Sequence, residues 1–256
     1  MVGIARLSRS LVALVLLLGA TEARAARSFH LFLDESQLVP EGSIELEQWV
    51  WAYGRIPNRI DRPASMWLWW GPAISVSNHF EFELPLQVVA IPDDTYLHSI
   101  SLIVRYRIFP REDDGGWQPL IRVGYAQPLD PAAGPPSAEA TFVLTVGNLQ
   151  AIRYTLNVGV LMGMPFLQST AQGSFSVLGR GGAGVSFPLG KEWRIAGEFF
   201  GQLPIHGDTR PSIGQMYLGP SLAWTRGPFW ITFGSLFGLT NDSSRYYPRL
   251  LWGIAL

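Results

Sequence analysis

The sequence predicts an all-β fold, an antiparallel transmembrane β-barrel of about 12 strands that follows a cleaved signal peptide. Three observations predict it: segments of about ten residues alternate in polarity, turn residues separate them, and charged side chains are scarce. Charged residues make up 15% of the 256 residues, against about 25% in a typical soluble domain. Because a surface that faces lipid needs no charge, this composition favours a membrane exterior.

Residues 1–25 have the layout of a secretory signal peptide. Arg6 and Arg9 give a positive start, the apolar run 11–20 follows, and small residues two apart precede a cleavage site after Ala25. The alternative is a membrane anchor, but a spanning helix needs roughly 20 apolar residues and this run is shorter. We therefore expect the mature chain to begin near Ala26.

Alternation along the chain marks the strands, because successive strand side chains point to opposite faces. In the segment 79–90, Glu81, Glu83 and Gln87 share one face and apolar residues the other. The same pattern gives candidate strands at 43–53, 65–77, 79–91, 97–109, 117–127, 138–148, 151–163, 174–187, 193–204, 215–226, 229–240 and 246–256.

Prolines inside these segments leave a count of ten strands as the alternative. Each proline removes one hydrogen bond from the ladder, and a closed barrel has no free edge for it. We expect them at strand ends or bulges: Pro72, Pro85, Pro119, Pro220 and Pro248.

The connections alternate between tight and long, as the short periplasmic turns and longer outer loops of bacterial barrels do. This alternation predicts that residues 42–256 form one barrel domain in the cell outer membrane, with the N- and C-termini in the periplasm. Residues 26–41 would form a periplasmic N-terminal segment. The sequence leaves open whether that segment folds into the lumen as a plug.

Twelve charged residues are predicted to face the lumen, since an arginine facing lipid at mid-bilayer costs about 2–4 kcal/mol. A hairpin about Asp94 would place Glu81 opposite Arg107 and Glu83 opposite Arg105. One interpretation is a charged constriction that selects solutes; the other is a set of ion pairs that fills a narrow lumen. The twelve are Glu45, Glu47, Glu81, Glu83, Arg105, Arg107, Arg122, Arg153, Arg180, Arg194, Glu198 and Arg249.

Aromatic residues gather near the ends of the proposed strands, where their amphipathic rings suit the interfacial girdles of a barrel. The alternative is the ordinary core of a soluble β-fold. The residues in question are Trp49, Trp51, Tyr53, Trp67, Trp69, Trp70, Trp224, Phe229, Trp230, Tyr246 and Tyr247.

Motifs for catalysis and metal binding are missing from the sequence. It has four histidines, no cysteine, no G-x-S-x-G and no metal-ligand spacing. The glycine-rich run 179–184 falls within a proposed strand, where small residues favour curvature or packing. We predict no catalytic residue, no metal site and no cofactor. The net charge of −1 gives no reason to expect nucleic acid as a partner.

Two segments resemble known outer-membrane proteins. The run 34–47, with Gly42 before alternating apolar residues, Glu45 and Glu47, resembles the opening of transporters related to phenol-degradation (meta-pathway) outer-membrane components. Residues 77–81 are similar to the hairpin that follows there. The final strand, 249–256, resembles the C-terminal signal that the barrel-assembly machinery recognises, although it ends in Leu256 rather than an aromatic residue. These resemblances imply a barrel and suggest passage of solutes.

Three functions remain open at this level. The first is a channel or transporter-like barrel that passes or binds small solutes, hydrophobic or aromatic ones among them. The second is an outer-membrane lipid-modifying enzyme, and the third is a plugged structural or surface-interaction barrel. The expected partners are outer-membrane lipid, the barrel-assembly machinery and a small-molecule solute.

Overall fold

The computed structural model describes residues 28–54, 64–92, 94–109, 116–130, 134–167, 175–207 and 214–256. The predicted signal peptide lies outside these residues. The described strands are β1 (Ile44–Tyr53), β2 (Ser65–Ser75), β3 (Phe80–Glu83), β4 (Leu86–Ile91), β5 (Asp94–Arg107), β6 (Trp117–Pro128), β7 (Ser137–Val146), β8 (Arg153–Gly163), β9 (Ser176–Pro188), β10 (Trp193–His206), β11 (Gln215–Arg226), β12 (Phe229–Gly238) and β13 (Tyr246–Ala255). No helix within the described ranges is long and apolar enough to cross a membrane.

The strands form one closed antiparallel sheet, in which β1 pairs with both β2 and β13. Strands β3 and β4 each pair with β2 and with β5, so together they occupy one position in the wall, interrupted at Leu84 and Pro85. The wall therefore has twelve positions, the third of them split. This confirms the predicted barrel and excludes the ten-strand alternative.

Four of the five prolines lie inside strands: Pro119 and Pro248 are the third residues of β6 and β13, and Pro72 and Pro220 lie where the pairing is already interrupted. Strand β2 pairs with β4 as far as Trp70 and with β3 from Ala73 onward, so Pro72 lies in the gap between them. Pro220 lies in a similar gap between β11 and β12. Because the ladder is broken beside each of these two rings, the missing N–H removes no bond on that side.

The two faces of the wall differ as the alternation predicts. Side chains on the outer face are apolar and exposed, for example Leu102 at 46%, Val123 at 49% and Val158 at 56%. Their inward neighbours include buried Arg105, Arg122 and Thr155. An apolar outer band with polar side chains inside is the arrangement of a transmembrane barrel.

The hairpin between β4 and β5 corrects one predicted register. Ile91 pairs with Asp94, so the turn lies earlier than the predicted centre at Asp94. A bulge between Gln87 and Val88 shifts the pairing again. As a result Glu81 lies opposite Arg105, not Arg107. The prediction was wrong because a period of two fixes the face of each side chain but not its partner.

The two ends of the barrel differ in their connections. One end, here called the turn end, contains the start of β1, the end of β13 and the connections 76–79, 108–116, 147–152, 189–192 and 227–228. The other, the loop end, contains the connections 54–64, 92–93, 129–136, 164–175, 207–214 and 239–245.

Candidate functional site

The N-terminal residues Ser28–Val39, here called the inner segment, lie inside the barrel. His30 is 0% exposed, Leu31 is 1% exposed and Val39 is 2% exposed. The segment contacts strands on all sides of the lumen. The Phe29 carbonyl accepts a hydrogen bond from Ser221 of β11 (2.8 Å), and the Val39 N–H donates to Glu81 of β3 (2.5 Å). A chain that reaches opposite walls in this way crosses the interior.

Glu198 of β10 is one anchor of the inner segment. Its carboxylate accepts hydrogen bonds from three consecutive backbone N–H groups, at 2.5 Å from Leu31, 2.9 Å from Phe32 and 3.3 Å from Leu33. These donors have no strand partner, so a buried carboxylate satisfies them in place of water. Hydrogen bonds to a carboxylate are stronger than those to a neutral oxygen.

Arginines of the wall form the second anchor, at the middle of the inner segment. Arg105 donates to the Glu35 carbonyl (2.5 Å), and Arg107 donates to the Ser36 carbonyl (2.9 Å). Arg153 forms an ion pair with the Glu35 carboxylate at 3.0 Å. Burial raises the pKa of Glu35, but the nearby Arg153 and His30 outweigh it and lower that pKa to about 2. Glu35 is therefore ionised, which favours the pair with Arg153.

The glycine-rich part of β9 makes room for the inner segment. A Cβ on Gly184 would lie 2.5 Å from the His30 ring and 2.8 Å from the Leu33 side chain. A Cβ on Gly182 would lie 2.6 Å from Leu33. These glycines therefore allow close packing at this wall. Packing is one of the two roles, curvature or packing, that the sequence indicated for the run 179–184.

The structure buries eleven of the twelve charged residues that were predicted to face the lumen, and leaves Arg180 intermediate. Arg105 pairs with Glu81 at 2.6 Å and lies 3.6 Å from Glu83. Three more of the twelve have these hydrogen-bond partners: Glu45 accepts from Trp230, Glu47 accepts from Trp49, and Arg194 donates to the carbonyls of Leu149 and Ala151.

A second ion-pair group includes two residues that the sequence analysis did not single out. Glu139 of β7 pairs with Arg180 at 2.8 Å and with Arg122, and Arg122 also lies 3.5 Å from Asp34 of the inner segment. Glu139 has the same parity along β7 as Thr141 and Thr145, so the sequence predicts that its side chain faces inward with theirs. Asp34 precedes the first strand, and no periodicity indicated its place.

Several aromatic residues assigned to the interfacial girdles face the interior, so that prediction was wrong for them. Trp51 is 8% exposed, Trp69 is 7% exposed and Trp230 is 3% exposed. The rings of Trp49 and Trp69 stack at 4.6 Å between centroids. The exposed rings that suit a girdle include Trp70, Phe229 and Tyr246. The buried and partly buried rings form a cluster with the inner segment: Phe32, Trp49, Trp51, Tyr53, Trp67, Trp69, Phe200, Tyr217, Trp230 and Tyr247.

A cavity of about 390 Å³ lies between the inner segment and the loop end. One part of its wall is the aromatic cluster, including Trp51, Trp67 and Trp69. Another part is polar and includes Arg122 and Glu139. This volume lies within the range of small-molecule sites, which combine apolar walls with a few polar groups. In the part of the chain that the structure describes, no cluster of three or more His, Asp or Glu residues could hold a metal ion.

Similarity to known proteins is seen in the structure and not in the sequence. No protein-family model matches the chain, and no curated protein sequence does. The NanC porin superposes with a TM-score of 0.56 at 7% identity, over 83% of this chain and 98% of that one. An outer-membrane channel from Pseudomonas putida F1 superposes with a TM-score of 0.57 at 9% identity, over 85% and 97%.

The fold is therefore that of the transmembrane β-barrels of outer-membrane channels. At these identities the likeness establishes the architecture and does not transfer a solute or a site. The likeness shows the fold of outer-membrane barrel channels in general, and it does not confirm the resemblance to the phenol-degradation group.

Proposed function

We propose that this protein is an outer-membrane channel or transporter-like barrel that binds small solutes in its lumen. In this proposal the inner segment closes the lumen toward the turn end, and the cavity beyond it receives the solute. The observation that carries the proposal is a cavity of about 390 Å³ with both aromatic and charged walls, located directly beside the inner segment. A barrel that only stabilised the membrane would gain nothing from such a space.

The orientation belongs to the same proposal. The turn end contains both ends of the barrel domain, and the chain connections there are mostly tight. Since bacterial barrels place short turns and chain ends in the periplasm, the cavity would face the cell exterior. Strand β13, which closes the barrel on β1, would be the segment that the barrel-assembly machinery recognises.

A plugged structural barrel is the second candidate, and the contacts of the inner segment favour it. Hydrogen bonds or ion pairs from Glu198, Arg105, Arg107 and Arg153 hold the segment in place. If these contacts never break, the lumen stays closed. No observation among the described residues favours a lipid-modifying enzyme.

Conductance separates the two candidates. Mature protein and a truncated form that begins at Pro40 would be refolded in detergent and inserted into planar bilayers. We expect brief, rare openings from the mature protein and a steady current from the truncated form, because removal of the inner segment leaves a continuous lumen. Circular dichroism and the heat-dependent gel shift of barrels would confirm that both forms are folded. A folded truncated form that carries no current would contradict the channel.

A further inference from the structure

Arg249 of β13 lies over three aromatic rings, whereas Arg153, Arg180 and Arg194 each lie over one. Its side chain is buried, with the residue 8% exposed, and it lies against aromatic rings. The guanidinium carbon is 4.2 Å from the ring centre of Phe32, 5.1 Å from that of Trp51 and 5.2 Å from that of Trp49. Such cation–π contacts stabilise a cation, but they occupy the faces of the guanidinium and leave its N–H donors free.

No ion pair or hydrogen bond joins Arg249 to another residue in the described ranges, and its Nε is buried without a partner. By contrast, Arg105 pairs with Glu81, Arg153 with Glu35 and Arg180 with Glu139. A buried charge without a counter-ion is strongly unfavourable. This arrangement is therefore explained if an anion from solution completes it.

The neighbouring carboxylates already have partners. Glu198 accepts three N–H groups of the inner segment, and Asp34 lies 3.5 Å from Arg122. Glu198 and Asp34 would have to break these contacts in order to pair with Arg249. Four described arginines line the cavity. Arg105, Arg122 and Arg180 each pair with a carboxylate, and Arg249 does not.

The walls beside Arg249 indicate what the anion carries. Trp51, Trp67 and Trp69 line the cavity together with Tyr247 and Arg249. The rings of Trp51 and Trp67 are nearly parallel, with their centroids 5.9 Å apart. A planar apolar body would bury its surface there, while a carboxylate would match the fork of N–H donors. Arg122 and Arg180 on the polar wall are already paired with Glu139, so they offer no free cation to a second negative charge.

We propose that the cavity binds a small monocarboxylate with a planar apolar body, and that Arg249 holds its carboxylate. This inference rests on the proposed function, because it assumes that the lumen accepts small solutes. Arg249 then determines specificity for the anion, and the tryptophans bind the body of the solute.

The test is a binding titration of the mature protein in detergent. Binding is measured by tryptophan fluorescence and by calorimetry. The probes are benzoate, the neutral benzyl alcohol and the cationic benzylamine, which share one ring. We expect benzoate to bind about 10- to 100-fold more tightly than benzyl alcohol, the range of a charge-assisted hydrogen-bonded pair. Benzylamine should bind more weakly still.

Two substitutions at Arg249 and one control complete the test. Arg249→Met should abolish the preference for benzoate and leave the melting temperature unchanged or higher, because it removes an uncompensated charge. Arg249→Lys keeps the charge without the fork and should bind benzoate with intermediate affinity. The control is Arg226→Met, since that side chain is 73% exposed beside Glu192; it should bind benzoate like the unaltered protein.

Each outcome has one meaning. If benzoate and benzyl alcohol bind equally, or if Arg249→Met binds benzoate normally, the carboxylate inference is wrong and the solute cavity stands. If no probe binds, the inference fails, while the conductance of the truncated form still decides on the channel. If Arg249→Met lowers the melting temperature sharply and Arg249→Lys binds benzoate normally, Arg249 has a packing role and the inference is also wrong.

Discussion

Replacement of Glu198 by Gln should loosen the inner segment without disturbing the wall. Glu198 accepts N–H groups at 2.5, 2.9 and 3.3 Å. Glutamine has nearly the same shape but no charge, and one of its two terminal groups is a donor that would face another donor. Hydrogen bonds to charged groups contribute about 1.5–3 kcal/mol each. Loss of roughly one such bond should therefore weaken the closed state by about 1.5–3 kcal/mol.

The assay is the ratio of open to closed time of single channels in planar bilayers. Since each 1.4 kcal/mol changes an equilibrium about tenfold, the Glu198→Gln ratio should exceed that of the unaltered protein roughly 10- to 150-fold. The truncated form that begins at Pro40 supplies the fully open reference. Glu192→Gln is the matched control, because the Glu192 side chain is 42% exposed at the turn end.

An open-to-closed ratio for Glu198→Gln within about twofold of the unaltered protein, the range of ordinary surface substitutions, would refute this reasoning. The three bonds would then contribute no net stability to the closed state. A large effect of Glu192→Gln would show that the charge change acts at long range rather than through the inner segment.

Two further predictions concern the packing and the orientation of the barrel. Gly184→Val should displace His30, whose ring would lie 2.5 Å from a Cβ at that position, and so raise the open-to-closed ratio; Gly197→Val, where a Cβ meets nothing within 4 Å, should not. Equal ratios for the two variants would contradict the close packing of the inner segment on β9. Because the chain has no cysteine, Asn241→Cys and Gln150→Cys each provide one label site. A membrane-impermeant maleimide added to intact cells should label only Asn241→Cys, and the reverse pattern would overturn the orientation.

The positions of the strands could be predicted from the sequence because strand structure is local. In a wall with lipid on one side, apolar and polar residues alternate along each strand, and this alternation is visible within a few neighbouring residues. The predicted segment 215–226 coincides with β11, and the predicted segments 43–53 and 65–77 differ from β1 and β2 by one or two residues. The break at Pro85 was not predicted. The alternation of polarity continues through it, because β3 and β4 pair with the same two neighbouring strands.

The alternation along β1 also indicates the inward position of two of these tryptophans. Trp49, Trp51 and Tyr53 have the same parity along β1 as Glu45 and Glu47. Strict alternation places all five side chains on one face. The expectation of a girdle relied on distance from the strand end, but the face of a side chain is decided by parity.

The sequence by itself determined a membrane β-barrel and the approximate positions of its strands, since both follow from short-range alternation and composition. Only the tertiary structure decided which residues are partners. The bond between Leu31 and Glu198 joins positions separated by 167 residues, and no local pattern specifies such a contact. The inner segment has no strand period of its own, so its place in the lumen depends on donors and acceptors that the closed wall brings together. The unpaired guanidinium of Arg249 arises in the same way, because closure of the barrel decides which arginines meet a carboxylate.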